Sequence, residues 1–130
     1  HYVERTWEYY DGRTSNHYLS DLVGYFYLCV FFNKTHEWVV KEILSECEKQ
    51  IAPDGMSYEG STAYHVLVTE LFQLFVLLCE QEGVSLPQSF YQKYRRMHEA
   101  VAACKINAQD MITIGDNDSG KVLWAGFSPR

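Results

Sequence analysis

NHYLSDLVGYFYLCVFF, residues 16–32, is the stretch that decides the fold class. Within it Leu19, Leu22, Val23, Phe26 and Val30 recur at the 3-4-3-4 spacing of one helical face. Tyr25, Tyr27, Leu28, Cys29, Phe31 and Phe32 make the segment apolar nearly all round, which places it as an inner helix between others. Asn16 is its expected N-cap.

Working outward, Thr35 is the expected cap of a second helix, with Glu37 in its first turn where the helix dipole favours negative charge. Val40, Ile43, Leu44, Cys47 and Ile51 mark its buried stripe, and Lys41, Glu42, Glu46, Glu48, Lys49 and Gln50 are expected to face water. Pro53-Asp54-Gly55 ends it. Ser61 or Thr62 caps a third helix that reaches about Glu82, apolar nearly all round from Val66 to Cys79 and stopped by Gly83. Ser85-Leu86-Pro87 opens a fourth, with Phe90, Tyr94, Met97, Val101 and Cys104 on one face and Lys93, Arg95, Arg96, His98 and Glu99 turned away. Short connections force antiparallel neighbours, so the expectation is an all-α protein of two helical hairpins, a structural repeat of about forty-six residues. Beyond Cys104 the pattern fades. Met111 to Ile114 reads as a short extended piece that enters the polar turn Gly115-Asp116-Asn117-Asp118-Ser119-Gly120.

Composition agrees with one domain, residues 1–130. Hydrophobic residues make up 47% and charged residues 22%, which excludes intrinsic disorder. A net charge of −6, with no basic run longer than Arg95-Arg96, lacks the phosphate-neutralising footprint of a nucleic-acid binder. The longest stretch free of charges and amides, Leu22 to Phe32, falls short of the ~18 residues of a membrane span, and none is expected. Cys29, Cys47, Cys79 and Cys104 form no C-x-x-C pair and are expected as four buried thiols. The first residue is His1, without methionine or apolar leader, so the chain is expected to be processed or excised from something longer.

Three polar clusters remain: Ser15-Asn16-His17, then Tyr58-Glu59-Gly60-Ser61-Thr62-Ala63-Tyr64-His65, then the turn at 115–120. In antiparallel hairpins helices one and three point the same way, so the first two clusters can approach. Each has an ordinary role as well: Asn16 as a cap, His17 as a polar residue at a helix start, Tyr64-His65 as aromatic packing beside a surface histidine. Metal binding is not supported. An EF-hand loop starting at Asp116 would need Gly and Glu where Lys121 and Phe127 stand, and the five histidines share no H-x-x-x-H spacing. A serine hydrolase would need a G-x-S-x-G elbow that the chain lacks.

Asn16-His17-Tyr18-Leu19, Pro53-Asp54-Gly55 followed by Tyr58 to His65, and Gly115 to Gly120, in that order, resemble bacterial heparinase II/III-like proteins, relatives of alginate lyases. The similarity runs from about Trp7 to Trp124. It implies a segment of an incomplete (α/α) toroid, completed in the parent protein by further helices and a β-sandwich domain. It also implies a periplasmic or cell-envelope setting and an acidic polysaccharide as partner, with no cofactor. The implied chemistry is β-elimination at a uronic-acid unit. Asn16 and His17 would stabilise charge on the sugar carboxylate, and Tyr64 would move the proton. Arg13, Tyr58, Glu59 and His65 would bind substrate. Relatives use a further histidine from later in the chain; His98, inside the fourth helix, matches it poorly. The competing expectation is a noncatalytic helical module that binds glycan or packs on another domain.

Overall fold

The computed structural model describes residues 7–9, 15–107, 110–117 and 122. Among them stand four helices, α1 (Asn16–Phe31), α2 (Glu37–Gln50), α3 (Thr62–Gln81) and α4 (Gln88–Ala103), and no strand beyond two isolated bridges, Ile51 with Ser57 and Lys105 with Met111. The fold is all-α, as the spacing of apolar residues predicts. α1 packs on α2 and α3, and α3 on α4, so the two apolar helices lie at the centre of the row.

Their ends follow from local chemistry. Ser15 caps α1, its hydroxyl accepting the Tyr18 N–H at 3.1 Å, and Ser61 caps α3 by accepting the Tyr64 N–H at 3.3 Å. The cap of α1 is therefore Ser15 and not Asn16, which leaves the Asn16 side chain available for another partner. α2 begins after His36, one residue later than a Thr35 cap would have opened it, without a side-chain cap bond. At the other ends, Asn33 (φ 52°) and Gly83 (φ 67°) take left-handed conformations. The next N–H groups then close onto earlier carbonyls, Lys34 onto Cys29 and Val84 onto Cys79, both at 2.8 Å.

The core joins Leu19, Leu22, Val23 and Phe26 of α1 to Val39, Ile43 and Cys47 of α2, Val68, Phe72 and Phe75 of α3, and Phe90 and Met97 of α4. α3 has the length and apolar content of a membrane-crossing helix, and Val68, Leu71, Phe72, Phe75, Val76, Leu78 and Cys79 along it are buried among the described residues. Burial pushes the Cys47 and Cys79 thiols up to about 12, so both are inert packing groups, while Cys104 is only half-buried.

Two expectations change. Glu46 and Gln50, placed on the water side of α2 by composition, are fully buried. They lie on the stripe Val39, Ile43, Glu46, Gln50, and a polar network holds them there. Gln50 Nε2 donates to Glu46 Oε2 and to the Ser15 carbonyl, each at 2.9 Å, and Lys49 Nζ reaches Glu46 Oε1 at 2.7 Å. Conversely, α1 is not covered all round: Tyr27, Leu28 and Phe31 are exposed among the described residues.

Candidate functional site

The N-terminal ends of α1 and α3 meet at a cavity of about 250 Å³ lined by Glu8, Asn16, His17, Ser20, Asp21, Tyr64 and Leu67. The three residues expected to carry chemistry, Asn16, His17 and Tyr64, thus share one opening. They come together because α1 and α3 run side by side in the same direction, both started by a serine cap.

Asn16 is buried, and its side chain is held from across the helix pair. Asn16 Nδ2 donates to Glu59 Oε2 at 3.2 Å and the Asn16 backbone N–H to Glu59 Oε1 at 3.4 Å. α1 has no acidic residue in its own first turn, so Glu59 supplies the negative charge that the N-terminus of a helix favours. His17 is exposed, and its Nδ1 lies 3.0 Å from Glu8 Oε2. The Glu8 backbone N–H in turn donates to Asp21 Oδ2 at 2.8 Å, which ties residues 7–9 across the start of α1. Tyr64 is half-buried on the cavity wall.

His65 is not in that wall. It is fully buried, its Nδ1 accepts the Ser57 N–H at 3.2 Å, and its Nε2 donates to the Met97 carbonyl at 3.1 Å. Burial lowers its pKa below the ordinary histidine range, with the Met97 hydrogen bond opposing, so the ring is the neutral Nε2–H form that these two bonds require. The expected substrate contact is therefore corrected: both ring nitrogens are engaged inside, and His65 joins the turn before α3 to α4. Its burial was readable from the stripe His65, Val68, Phe72, Phe75, Cys79, which keeps the 3-4-3-4 spacing back to the helix start. Tyr58 and Glu59 also stand outside the cavity lining. Tyr58 is half exposed, its pKa raised by partial burial and then by the Glu59 charge. Arg13 lies outside the described residues.

The third cluster reaches the same end of the fold. The Thr62 N–H donates to the Ile114 carbonyl at 3.0 Å, the Ile114 N–H returns to Thr62 Oγ1 at 3.1 Å, and Ser61 Oγ donates to the Asp116 carbonyl. A Cβ on Gly115 (φ 72°) would meet Ser61 Cβ at 3.0 Å, so this turn needs glycine to lie on the cap of α3. Residues 118–120 lie outside the described residues. Among the described residues no three His, Cys, Asp or Glu side chains converge as a metal-holding group.

A family model described as the heparinase II/III N-terminus matches residues 2–123. The chain belongs to that family. Heparinase II/III membership makes this protein a relative of polysaccharide lyases and agrees with the ordered motifs at 16–19, 53–65 and 115–120. No curated protein matches the chain. Nor does any solved structure. The heparinase II/III match covers the residues that line the cavity.

Proposed function

We propose that this chain carries part of the active site of a polysaccharide lyase that cleaves a uronic-acid glycan by β-elimination. The observation that supports it is the shared cavity of Asn16, His17 and Tyr64 in a heparinase II/III family member. The proton beside an ionised carboxylate is very weakly acidic, so charge spreading onto that carboxylate must be met by donors already in place. The Asn16 amide offers a second N–H besides the one facing Glu59. His17 lines the same cavity with its Nδ1 toward Glu8, and in the imidazolium form its second ring nitrogen is a further donor. The Tyr64 hydroxyl transfers the proton to or from the sugar as the bond to the C4 oxygen breaks.

Glu8 and Asp21 on the same wall set the substrate's charge. Two carboxylates repel a densely sulfated chain more than a polymer with one carboxylate per sugar, so a mildly charged uronan is the fitting class. Four helices cannot close a ring, and we assign the chain to a segment of an incomplete (α/α) toroid whose remaining helices, with a β-sandwich domain, complete the cleft and cover the exposed residues of α1. The further histidine of the reaction belongs to those parts; His98 sits exposed on α4, edge-on to Tyr94 at 4.6 Å. Incubating the full-length protein with a panel of uronans and following the ultraviolet absorbance of unsaturated ends tests the proposal. A rise with at least one polymer is expected, and none across the panel refutes it.

A further inference from the structure

We infer that Glu59 is a positioning residue that fixes which face of the Asn16 amide the cavity receives, and that it does not touch substrate; the inference rests on the lyase reading above and deepens it. An ionised carboxylate only accepts hydrogen bonds. With Glu59 Oε2 at 3.2 Å from Nδ2 and Oε1 at 3.4 Å from the backbone N–H, the Asn16 amide cannot turn its oxygen toward Glu59 without placing two acceptors face to face. The amide nitrogen is therefore held in one place, and its second hydrogen is held with it.

The carboxylate is itself held in register. Gln50 makes a bond to each side of the contact: its backbone carbonyl accepts the Tyr58 N–H at 3.0 Å, and its side chain donates to the Ser15 carbonyl at 2.9 Å. One residue at the end of α2 thus fixes both the residue before Asn16 and the residue before Glu59. The bridge between Ile51 and Ser57 and the turn that closes Gly60 N–H onto the Ser57 carbonyl complete the support. Glu59 does not line the cavity, which separates it from the residues that meet a ligand there. A donor that must meet charge in the transition state loses its effect when it is misplaced by even an ångström, so fixing the amide is a catalytic requirement and not only a structural one.

The test is a double-mutant cycle on the full-length protein with the uronan it cleaves. Glu59→Gln keeps the shape but offers one acceptor where two donors converge, and it allows the Asn16 amide to flip. It is expected to lower kcat about 10- to 100-fold while KM changes by less than about threefold. Glu59→Asp, which keeps the charge and shortens the reach, is expected to lose less, and it carries the test if Glu59→Gln unfolds. In an Asn16→Ala background either change at Glu59 is expected to cost nothing further, because the group it positions is gone. An equal loss in that background, or a rise in KM with kcat unchanged, overturns the inference while the lyase reading stands. Absence of unsaturated ends from the unmutated protein on every uronan overturns both.

Discussion

The groove between α1 and α3 has two ends built from the same two helices. At the N-terminal end lies the cavity of Asn16, His17 and Tyr64; at the C-terminal end lies another of about 350 Å³, lined by Tyr27, Val30, Phe31, Leu78 and Gln81. Both lie on one stripe of α3, which runs Tyr64, Leu67, Leu71, Leu74, Leu78, Gln81 at helical spacing. The second cavity is larger, and Val30, Phe31 and Leu78 share its lining with Tyr27 and Gln81. In the first, partners of the polar groups are fixed from two directions, Glu59 for Asn16 from the turn before α3 and Glu8 for His17 from the segment before α1. Size does not separate a site from a gap here. The number of polar groups held in place does.

The sharpest way to break that comparison is Tyr64→Phe in the full-length protein. Loss of the hydroxyl is expected to lower turnover about 10²- to 10⁴-fold with the unfolding midpoint nearly unchanged. Turnover equal to that of the unmutated protein would make Tyr64 a wall residue and reduce the N-terminal cavity to the same standing as the other.

Ser61→Ala comes next. Its hydroxyl caps Tyr64 N–H and donates to the Asp116 carbonyl, so two bonds go at once. A loss of about 1–2 kcal/mol in denaturant unfolding is expected. If stability were unchanged, the 115–117 turn would not be held by this cap.

Much of this arrangement is legible in the sequence, for identifiable reasons. The four helices and the buried stripes follow from spacing, because burial of one face imposes a period near 3.6 whatever the neighbours are. The approach of Asn16 to Tyr64 follows from hairpin direction alone. What spacing misses is polar burial at stripe edges. Glu46 and Gln50 occupy stripe positions but look solvent-facing, since only the folded chain shows that Ser15 offers a carbonyl opposite them. The one-residue error at the α1 cap has the same origin. Ser15 and Asn16 are equally good caps, and what separates them is Glu59, forty-three residues away, which engages the Asn16 amide. His65 is the exception, because its stripe was complete in the sequence and its polarity hid it.

Acid provides a smaller test of the polar end. Burial holds the His65 ring below its ordinary pKa, so between the folded value and about 6.5 the unfolded chain binds more protons. Its contribution to stability is whole above about 6.5 and is lost as the pH falls toward the folded value. Thermal midpoints are therefore expected to drop on acidification, and to drop less in His65→Gln, which retains one donor for Met97 and one acceptor for the Ser57 N–H. An identical acid slope in both proteins would place the sensitivity elsewhere.

The least effect is expected at the C-terminal end, and there its size depends on what surrounds the chain. Phe31 is 68% exposed, with Tyr27 beside the same cavity at 50%. In the 130-residue chain Phe31→Ser removes little buried area, so urea unfolding is expected to move by no more than about 0.5 kcal/mol. In the full-length protein, where the proposed toroid helices cover this end, the same change removes a buried aromatic ring and is expected to cost about 2 kcal/mol. Turnover should be the same in either case, because no polar group of the N-terminal cavity depends on it. A small effect in both settings would mean that this end faces water throughout, and the toroid assignment would lose the surface it needs to close against. A fall in turnover without loss of stability would instead join the two ends into one site and erase the contrast between them.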